Sequence, residues 1–171
     1  MVLLYVGNMI SDYPQRKNTR LKTYDYSQPG YYFITLCTRD RAPLLGSIVE
    51  GVVCLSALGK MVKEQTELLP GRYDRLLRDK YVIMPNHIHM ILRIAERINP
   101  LPTGAAAKEK HIDIPNVIGK WKAGITRQSG GHSIWQETYY DRVIRSEAEY
   151  LRIWNYIDTN PVKWAEDVYF A

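Results

Sequence analysis

The stretch LLRDKYVIMPNHIHMILRI, residues 76–94, decides the predicted fold because it holds two strand patterns joined by a short break. Each half is rich in β-branched, aromatic and other apolar residues, a composition typical of β-strands. Pro85 interrupts the pattern, since proline cannot donate to a strand ladder, and Asn86 is a residue type favoured in turns. The sequence therefore predicts two neighbouring strands, with the histidines His87 and His89 at their junction.

The whole chain alternates between strand patterns and helical periods. The predicted strands cover residues 31–39, 47–54, 76–84, 88–94 and 134–144. The second of them is expected to form a hairpin with the first. The predicted helices begin after Ser56, Asp113 and Ser146, which are N-cap residue types, and cover residues 57–69, 114–129 and 147–158. This order predicts an α+β fold in which helices pack on a central antiparallel sheet.

Length and composition are those of a globular protein of about one domain. We expect that domain to occupy residues 30–171, after a basic arm at residues 1–29, with an exposed linker at residues 96–110. Lys and Arg outnumber Asp and Glu by 23 to 18, and the resulting charge of +5 favours nucleic acid as a partner. The two cysteines form no disulfide framework, and no segment approaches the roughly 18 apolar residues of a membrane span. We therefore expect a cytoplasmic protein with no membrane partner.

The two histidines form a candidate metal site. Side chains at positions i and i+2 of a strand share one face, so His87 and His89 should project together while Ile88 points into the core. Neutral imidazole is a common ligand of divalent metals. The alternative is a histidine pair on a sheet face with no function. A metal site also needs a third ligand, and His111 and His132 lie in or beside predicted loops.

The last predicted helix offers further polar groups. Tyr156 and Asn160 are four residues apart and share a helix face if the helix continues to Asn160. A phenol hydroxyl and an amide oxygen would then be presented together to the histidine pair. Because the chain has 13 tyrosines, Tyr156 can equally be a packing residue.

The motifs together resemble a known family. The segment MPNHIH at 84–89, followed by Tyr156 and by NPVK at 160–163, is similar to the IS200-like single-tyrosine transposases. The NPVK ending, and IWQ at 134–136 with Tyr140 and Arg145, are most similar to the REP-associated tyrosine transposases. The resemblance extends from about Gly30 to Trp164.

The resemblance implies a fold and a reaction. The fold would be the ferredoxin/RRM-like fold of HUH endonucleases. Tyr156 would be the nucleophile that attacks a DNA phosphodiester, forms a 5′-phosphotyrosine and releases a 3′-OH. His87 and His89 would bind a divalent metal, and Asn160 would be the third ligand, at the position where the insertion-sequence members have Gln. Asn supplies the same carbonyl oxygen on a shorter side chain.

The implied cofactor is Mg²⁺ or Mn²⁺, because two neutral nitrogens and one amide oxygen make a weak, open site; imidazole would also admit zinc. The implied substrate is single-stranded DNA with a hairpin. The family includes helix-exchanged homodimers and monomers, and the sequence leaves both open. A domesticated hairpin-DNA-binding protein with little cleavage, and an RNA-binding module that stacks bases on tyrosine-rich strands, are also possible functions.

Basic residues off the apolar faces are candidate contacts to the DNA backbone. They are Arg16, Lys17, Arg20 and Lys22 in the arm, and Lys120, Lys122 and Arg127 on the second helix. The alternative for each of them is an ordinary solvated charge.

Overall fold

A four-stranded antiparallel sheet lies at the centre of the structure, a computed structural model that describes residues 23–96 and 112–167. In spatial order the strands are β4 (Leu76–Ile83), β5 (His87–Ile94), β1 (Gly30–Cys37) and β6 (Tyr140–Ile144). A separate hairpin pairs β2 (Gly46–Val49) with β3 (Val52–Leu55). The helices are α1 (Ala57–Glu67), α2 (Ile114–Gln128) and α3 (Glu147–Thr159). Among the described residues no helix combines the length and the apolar character needed to cross a bilayer. The predicted α+β fold is confirmed.

One face of the sheet carries the larger hydrophobic core. Even-numbered residues of β1 and β5 point to this face, because side chains alternate along a strand. The apolar side of α2 packs here together with Val62 of α1. Its buried residues are Ile114, Val117, Ile118, Trp121 and Ile125. This core therefore holds β5 in place from the face of the sheet opposite His87 and His89.

The opposite face carries a smaller core under α3. Phe33 and Ile91 from the sheet pack with Ile153 and Ile157 of the helix. These two helical residues are four apart and lie on one side of α3. The packing places the C-terminal end of α3 over the first residues of β5.

The helix starts follow the predicted caps at two of three positions. The Ser56 hydroxyl accepts a hydrogen bond from the Gly59 N–H at 3.0 Å, and the Ser146 hydroxyl accepts one from Glu149 N–H at 3.2 Å. Asp113 holds the N-cap position of α2, but its side chain makes no capping hydrogen bond to the described residues.

Two strand predictions were wrong. Residues 47–54 do not pair with β1, because Glu50 and Gly51 adopt positive φ angles of 51° and 76° and turn the segment back on itself. Residues 134–144 are extended in the sheet only from Tyr140 onward. Trp135 instead makes an isolated bridge with Thr38 and packs on Trp121 at 5.2 Å between ring centroids, so its aromatic character serves the core rather than a strand.

Candidate metal and tyrosine site

His87 and His89 lie side by side at the beginning of β5. The preceding turn is closed by the N–H of Met84, which donates to the carbonyl of His87 at 2.8 Å. Both rings are buried, and their centroids are 4.4 Å apart. Ile88 between them is fully buried in the core of the other face. The strand alternation thus gives the shared face that the sequence predicts.

Each histidine is held through Nδ1 by a buried polar side chain. The Oδ1 of Asn86 lies 2.8 Å from Nδ1 of His87, and the Oγ1 of Thr35 lies 2.8 Å from Nδ1 of His89. Thr35 is the register partner of His89 on the neighbouring strand. Because Nδ1 is engaged, Nε2 is the candidate ligand atom of each ring.

Tyr156, in the last turn of α3, reaches the histidine pair. Its hydroxyl oxygen lies 3.0 Å from Nε2 of His89, and the two rings are 5.0 Å apart between centroids. The ring of Phe33 packs edge-on against Tyr156 at 6.4 Å. The fold therefore brings Tyr156, a candidate from the sequence, within hydrogen-bond distance of His89.

Asn160 follows the last turn of α3 with helical backbone angles and is buried. Its Nδ2 donates a hydrogen bond to the carboxylate of Asp167. Its Oδ1 is buried and has no hydrogen-bond partner among residues 23–96 and 112–167. A buried carbonyl oxygen without a donor is costly unless a ligand or ion satisfies it.

Asp167 is part of the site, although no sequence pattern selects it. It follows a short 3₁₀ turn, Trp164–Glu166, which returns the chain toward β5 after Pro161. Its carboxylate also accepts from the Tyr156 hydroxyl at 3.3 Å. One ligand atom each from His87, His89 and Asp167 lies within 4.8 Å of the others. The residue lies beyond the end of the helix at Thr159, so the helical period does not extend to it and no spacing rule identifies it.

Burial controls the protonation of both histidines. Desolvation, and secondarily His89 and Arg41, hold the pKa of His87 well below its ordinary value. Desolvation lowers the pKa of His89 to about 3. Both rings are therefore neutral near pH 7, which is the form that binds metal.

The donor set fits a divalent metal. It combines imidazole nitrogens from His87 and His89 with the carboxylate of Asp167. Asn160, whose Oδ1 is buried without a partner among the described residues, contacts that carboxylate through Nδ2. Mixed nitrogen and oxygen ligands are common to Mn²⁺, Zn²⁺ and other divalent ions, and carboxylate and carbonyl oxygens suit Mg²⁺ and Mn²⁺.

A strained turn lies beside His87. Asp40 and Arg41 both have φ of 54°, in the left-handed region that non-glycine residues seldom adopt. The turn follows Cys37, the register partner of His87. The Thr38 hydroxyl, 2.9 Å from the carbonyl of Asn86, ties it to the histidine strand. Sequence reasoning missed Arg41, which the turn places close enough to act on the His87 ring electrostatically.

The predicted DNA-contacting residues are not beside the histidines where the structure describes them. Lys120, Lys122 and Arg127 lie on α2, which packs on the other face of the sheet. The ammonium of Lys122 donates to the backbone carbonyls of Gln136 at 2.7 Å and Glu137 at 3.0 Å. The remaining candidates, Arg16, Lys17, Arg20 and Lys22, lie outside the described residues, as does His111; His132 is exposed beyond α2.

Comparison with known proteins gives one sequence relative. An uncharacterized protein of Haemophilus influenzae is 36% identical over 164 residues, which cover 89% of this chain and 91% of that protein. No model of a protein family matches the chain.

The solved structures that are similar to the chain include transposases. A REP-associated tyrosine transposase bound to a REP hairpin has a TM-score of 0.62 and 21% identity, and the match covers 88% of this chain and 76% of that one. A provisionally assigned transposase of Deinococcus radiodurans R1 has a TM-score of 0.46 and 17% identity, over 84% and 96% of the two chains. The first comparison confirms, at the level of the fold, the resemblance seen in the sequence motifs.

Proposed function

We propose that the chain, which belongs to the same protein family as its Haemophilus influenzae relative, is a tyrosine transposase. Such an enzyme would depend on a metal ion and would cut and rejoin single-stranded DNA at hairpin-flanked sites. The observation that carries the proposal is the 3.0 Å approach of the Tyr156 hydroxyl to Nε2 of His89. The fold shared with a REP-associated tyrosine transposase supports it. The outcome in the cell would be DNA transposition or the mobilisation of REP elements.

Tyr156 is the nucleophile of the proposed reaction. Its phenol oxygen forms a bond to the phosphorus of the scissile phosphodiester, and the bond from phosphorus to the 3′ oxygen breaks. The products are a 5′-phosphotyrosine and a DNA 3′-OH, which takes up the proton given up by the phenol. Since one phosphodiester replaces another, a 3′-OH can later attack the phosphotyrosine and rejoin the strands without an external energy source.

The phenol needs a proton acceptor during attack. The Asp167 carboxylate, 3.3 Å from the Tyr156 hydroxyl, accepts a hydrogen bond from it. Asn160 donates to the same carboxylate and so holds it in place. The buried rings of His89 and Phe33 restrict the Tyr156 ring from the sheet side. These contacts orient the nucleophile before substrate binds.

His87, His89 and Asp167, with the amide oxygen of Asn160, are the residues that would hold Mg²⁺ or Mn²⁺. A bound divalent ion would polarise the scissile phosphate and offset the charge that develops on its oxygens. This set extends the ligands implied by the sequence resemblance by one carboxylate.

Single-stranded hairpin DNA is the proposed substrate. The net charge of +5 supports a polyanionic partner, and the structurally similar transposase was solved with a REP hairpin. Tyr156 reaches a histidine of its own chain, which supports action as a monomer. The basic residues Arg16, Lys17, Arg20, Lys22, Lys120, Lys122 and Arg127 remain proposed contacts to the DNA backbone.

The test is a denaturing-gel assay with Mn²⁺ and hairpin oligonucleotides, labelled at the 5′ or 3′ end, taken from the flanks of the gene. Wild type should give a protein–DNA adduct that carries only the label 3′ to the cut. Tyr156→Phe and His87→Ala should give none. Tyr150→Phe is the matched control, because Tyr150 lies on the same helix but its hydroxyl bonds Asp79 at 2.5 Å.

Other outcomes of this assay contradict the proposal. Hairpin binding that survives Tyr156→Phe, without any adduct from wild type, would indicate a domesticated binding protein. Equal affinity for RNA and DNA versions of one hairpin, again without adduct, would indicate an RNA-binding module.

A further inference from the structure

The two histidines are held by chemically different partners. An amide oxygen accepts hydrogen bonds and cannot donate them, whereas a hydroxyl does both. Oδ1 of Asn86 therefore requires a proton on Nδ1 of His87, and the neutral ring must then carry its lone pair on Nε2. The Thr35 hydroxyl imposes no such requirement on His89.

Asn86 is held in a fixed position. The residue is buried, and its backbone carbonyl accepts the N–H of Thr38 at 2.8 Å. The hydroxyl of Thr38 lies 2.9 Å from the same carbonyl. The turn that contains Asn86 is closed by the Met84 N–H to His87 carbonyl bond. The backbone contacts with Thr38 and the closed turn thus hold the Asn86 side-chain amide next to the His87 ring.

The His89 ring can adopt either tautomer. If the Tyr156 hydroxyl donates to Asp167, Nε2 of His89 carries the proton and donates to Tyr156, and Thr35 donates to Nδ1. If Tyr156 donates to Nε2 of His89, Nδ1 carries the proton and donates to Thr35. Only the second arrangement leaves a lone pair on Nε2, and the hydroxyls of both Tyr156 and Thr35 rotate with the change.

We propose that Asn86 is a positioning residue that fixes the proton of His87 on Nδ1, so that Nε2 of this histidine is prepared for metal binding while His89 adjusts its tautomer. The inference rests on the metal site of the proposed function. Residues that orient a metal-ligating histidine typically change metal affinity by about 10- to 100-fold when removed.

The test uses the metal-free full chain with ¹⁵N-labelled histidine at neutral pH. The ¹⁵N shifts of the ring nitrogens show which of them carries the proton, and His87→Gln assigns the signals of His87. Wild type should show the His87 proton on Nδ1. Asn86→Ala should move part or all of it to Nε2, and Asn86→Asp, which keeps an acceptor oxygen, should preserve it on Nδ1.

Mn²⁺ affinity, followed by the EPR signal of the free ion, is the second readout. Asn86→Ala should bind Mn²⁺ about 10- to 100-fold more weakly, while Asn86→Asp should stay within a few-fold of wild type. Asn116→Ala, a matched change at an exposed position of α2, should alter neither readout.

A wild-type His87 protonated on Nε2 would overturn the inference without any variant, and so would an Asn86→Ala protein with unchanged tautomer and affinity. If Asn86→Ala does not fold, the wild-type and Asn86→Asp spectra still decide. A wild-type protein that binds no Mn²⁺ would instead contradict the proposed function. The two failures can be distinguished because the tautomer is measured without metal.

Discussion

The hydroxyl of Tyr156 lies 3.0 Å from Nε2 of His89, although 67 positions separate the two residues in the sequence. The contact depends on two packing events. Ile153 and Ile157 seat α3 on the sheet, and Ile88 anchors β5 to the core behind it. The geometry of the proposed site is therefore a property of the whole sheet rather than of a local motif.

Asp167 should contribute to metal affinity as strongly as Asn160. We expect Asp167→Asn and Asn160→Ala each to weaken Mn²⁺ binding by roughly 10-fold or more, because each removes an oxygen donor or the group that positions it. Isothermal titration calorimetry of the purified proteins with Mn²⁺ measures the change. Glu166→Gln, one residue away and exposed, is the control for loss of an acidic side chain. An Asp167→Asn protein with wild-type affinity would remove Asp167 from the ligand set.

The buried histidines should make the metal-free protein less stable in acid. Burial lowers the pKa of His89 to about 3 and that of His87 in the same direction, whereas unfolded histidine titrates at about 6.5. Below pH of about 6.5 the unfolded chain takes up protons that the folded chain excludes, so the free energy of unfolding falls. Above that pH the two residues contribute no dependence. Well below it the slope should approach about 1.4 kcal/mol per pH unit for each histidine.

Urea unfolding in EDTA across this range measures the slope. The double variant His87→Gln, His89→Gln should show a shallower dependence than wild type, and His132→Gln, at an exposed position, should follow wild type. Equal slopes for wild type and the double variant would show that the histidines are accessible to protons in the folded state.

The two strands around the histidines and the three helices could be predicted because each depends on a local period or a short motif. Tyr156 is only a candidate from the sequence, because its contact with His89 depends on the packing of α3 on the sheet. Asp167 and Arg41 could not be predicted. Asp167 reaches the site through a turn after Pro161, and Arg41 through a turn with two positive φ angles, and neither conformation follows from a residue pattern. The strand expected at residues 134–144 failed for a related reason, since Trp135 is buried against Trp121 by tertiary packing.

Ile88 should be the residue whose loss disrupts the site through the core. Ile88 lies between the two histidines in the sequence, but its side chain is fully buried on the other face of the sheet. Ile88→Ala should lower the free energy of unfolding by about 2 to 5 kcal/mol, as is usual for a buried aliphatic side chain. Val162→Ala, at a position that is 78% exposed, should change it by less than about 0.5 kcal/mol. Chemical denaturation checks both, and similar losses for the two variants would contradict the observed burial.

Lys122 and Lys120 should differ although both are basic residues of α2. The Lys122 ammonium satisfies two backbone carbonyls of the segment before β6, so Lys122→Met should reduce stability by about 1 to 3 kcal/mol. Lys120 is exposed, and Lys120→Met should leave stability unchanged. If Lys120 contacts DNA, Lys120→Met should instead weaken hairpin binding. The slope of log affinity against log salt should then fall by about one. Thermal unfolding measures the change in stability, and fluorescence anisotropy at several salt concentrations measures the change in DNA binding. A Lys122→Met protein with weaker DNA binding and unchanged stability would contradict the structural role of Lys122.

Arg41 should bind the DNA phosphate nearest to the histidines. Its turn follows the register partner of His87, and its charge already acts on that ring. Asp40 and Arg41 adopt left-handed backbone angles, which cost free energy and often occur at functional sites. Arg41→Gln should weaken binding of hairpin DNA and lower the slope of log affinity against log salt by about one, since one ionic contact is lost. Lys60→Gln, an exposed change on α1 at the other face of the sheet, is the matched control. Anisotropy titrations between low and moderate salt give both slopes, and an Arg41→Gln protein with the wild-type slope would show that the arginine serves the fold of the turn rather than the substrate.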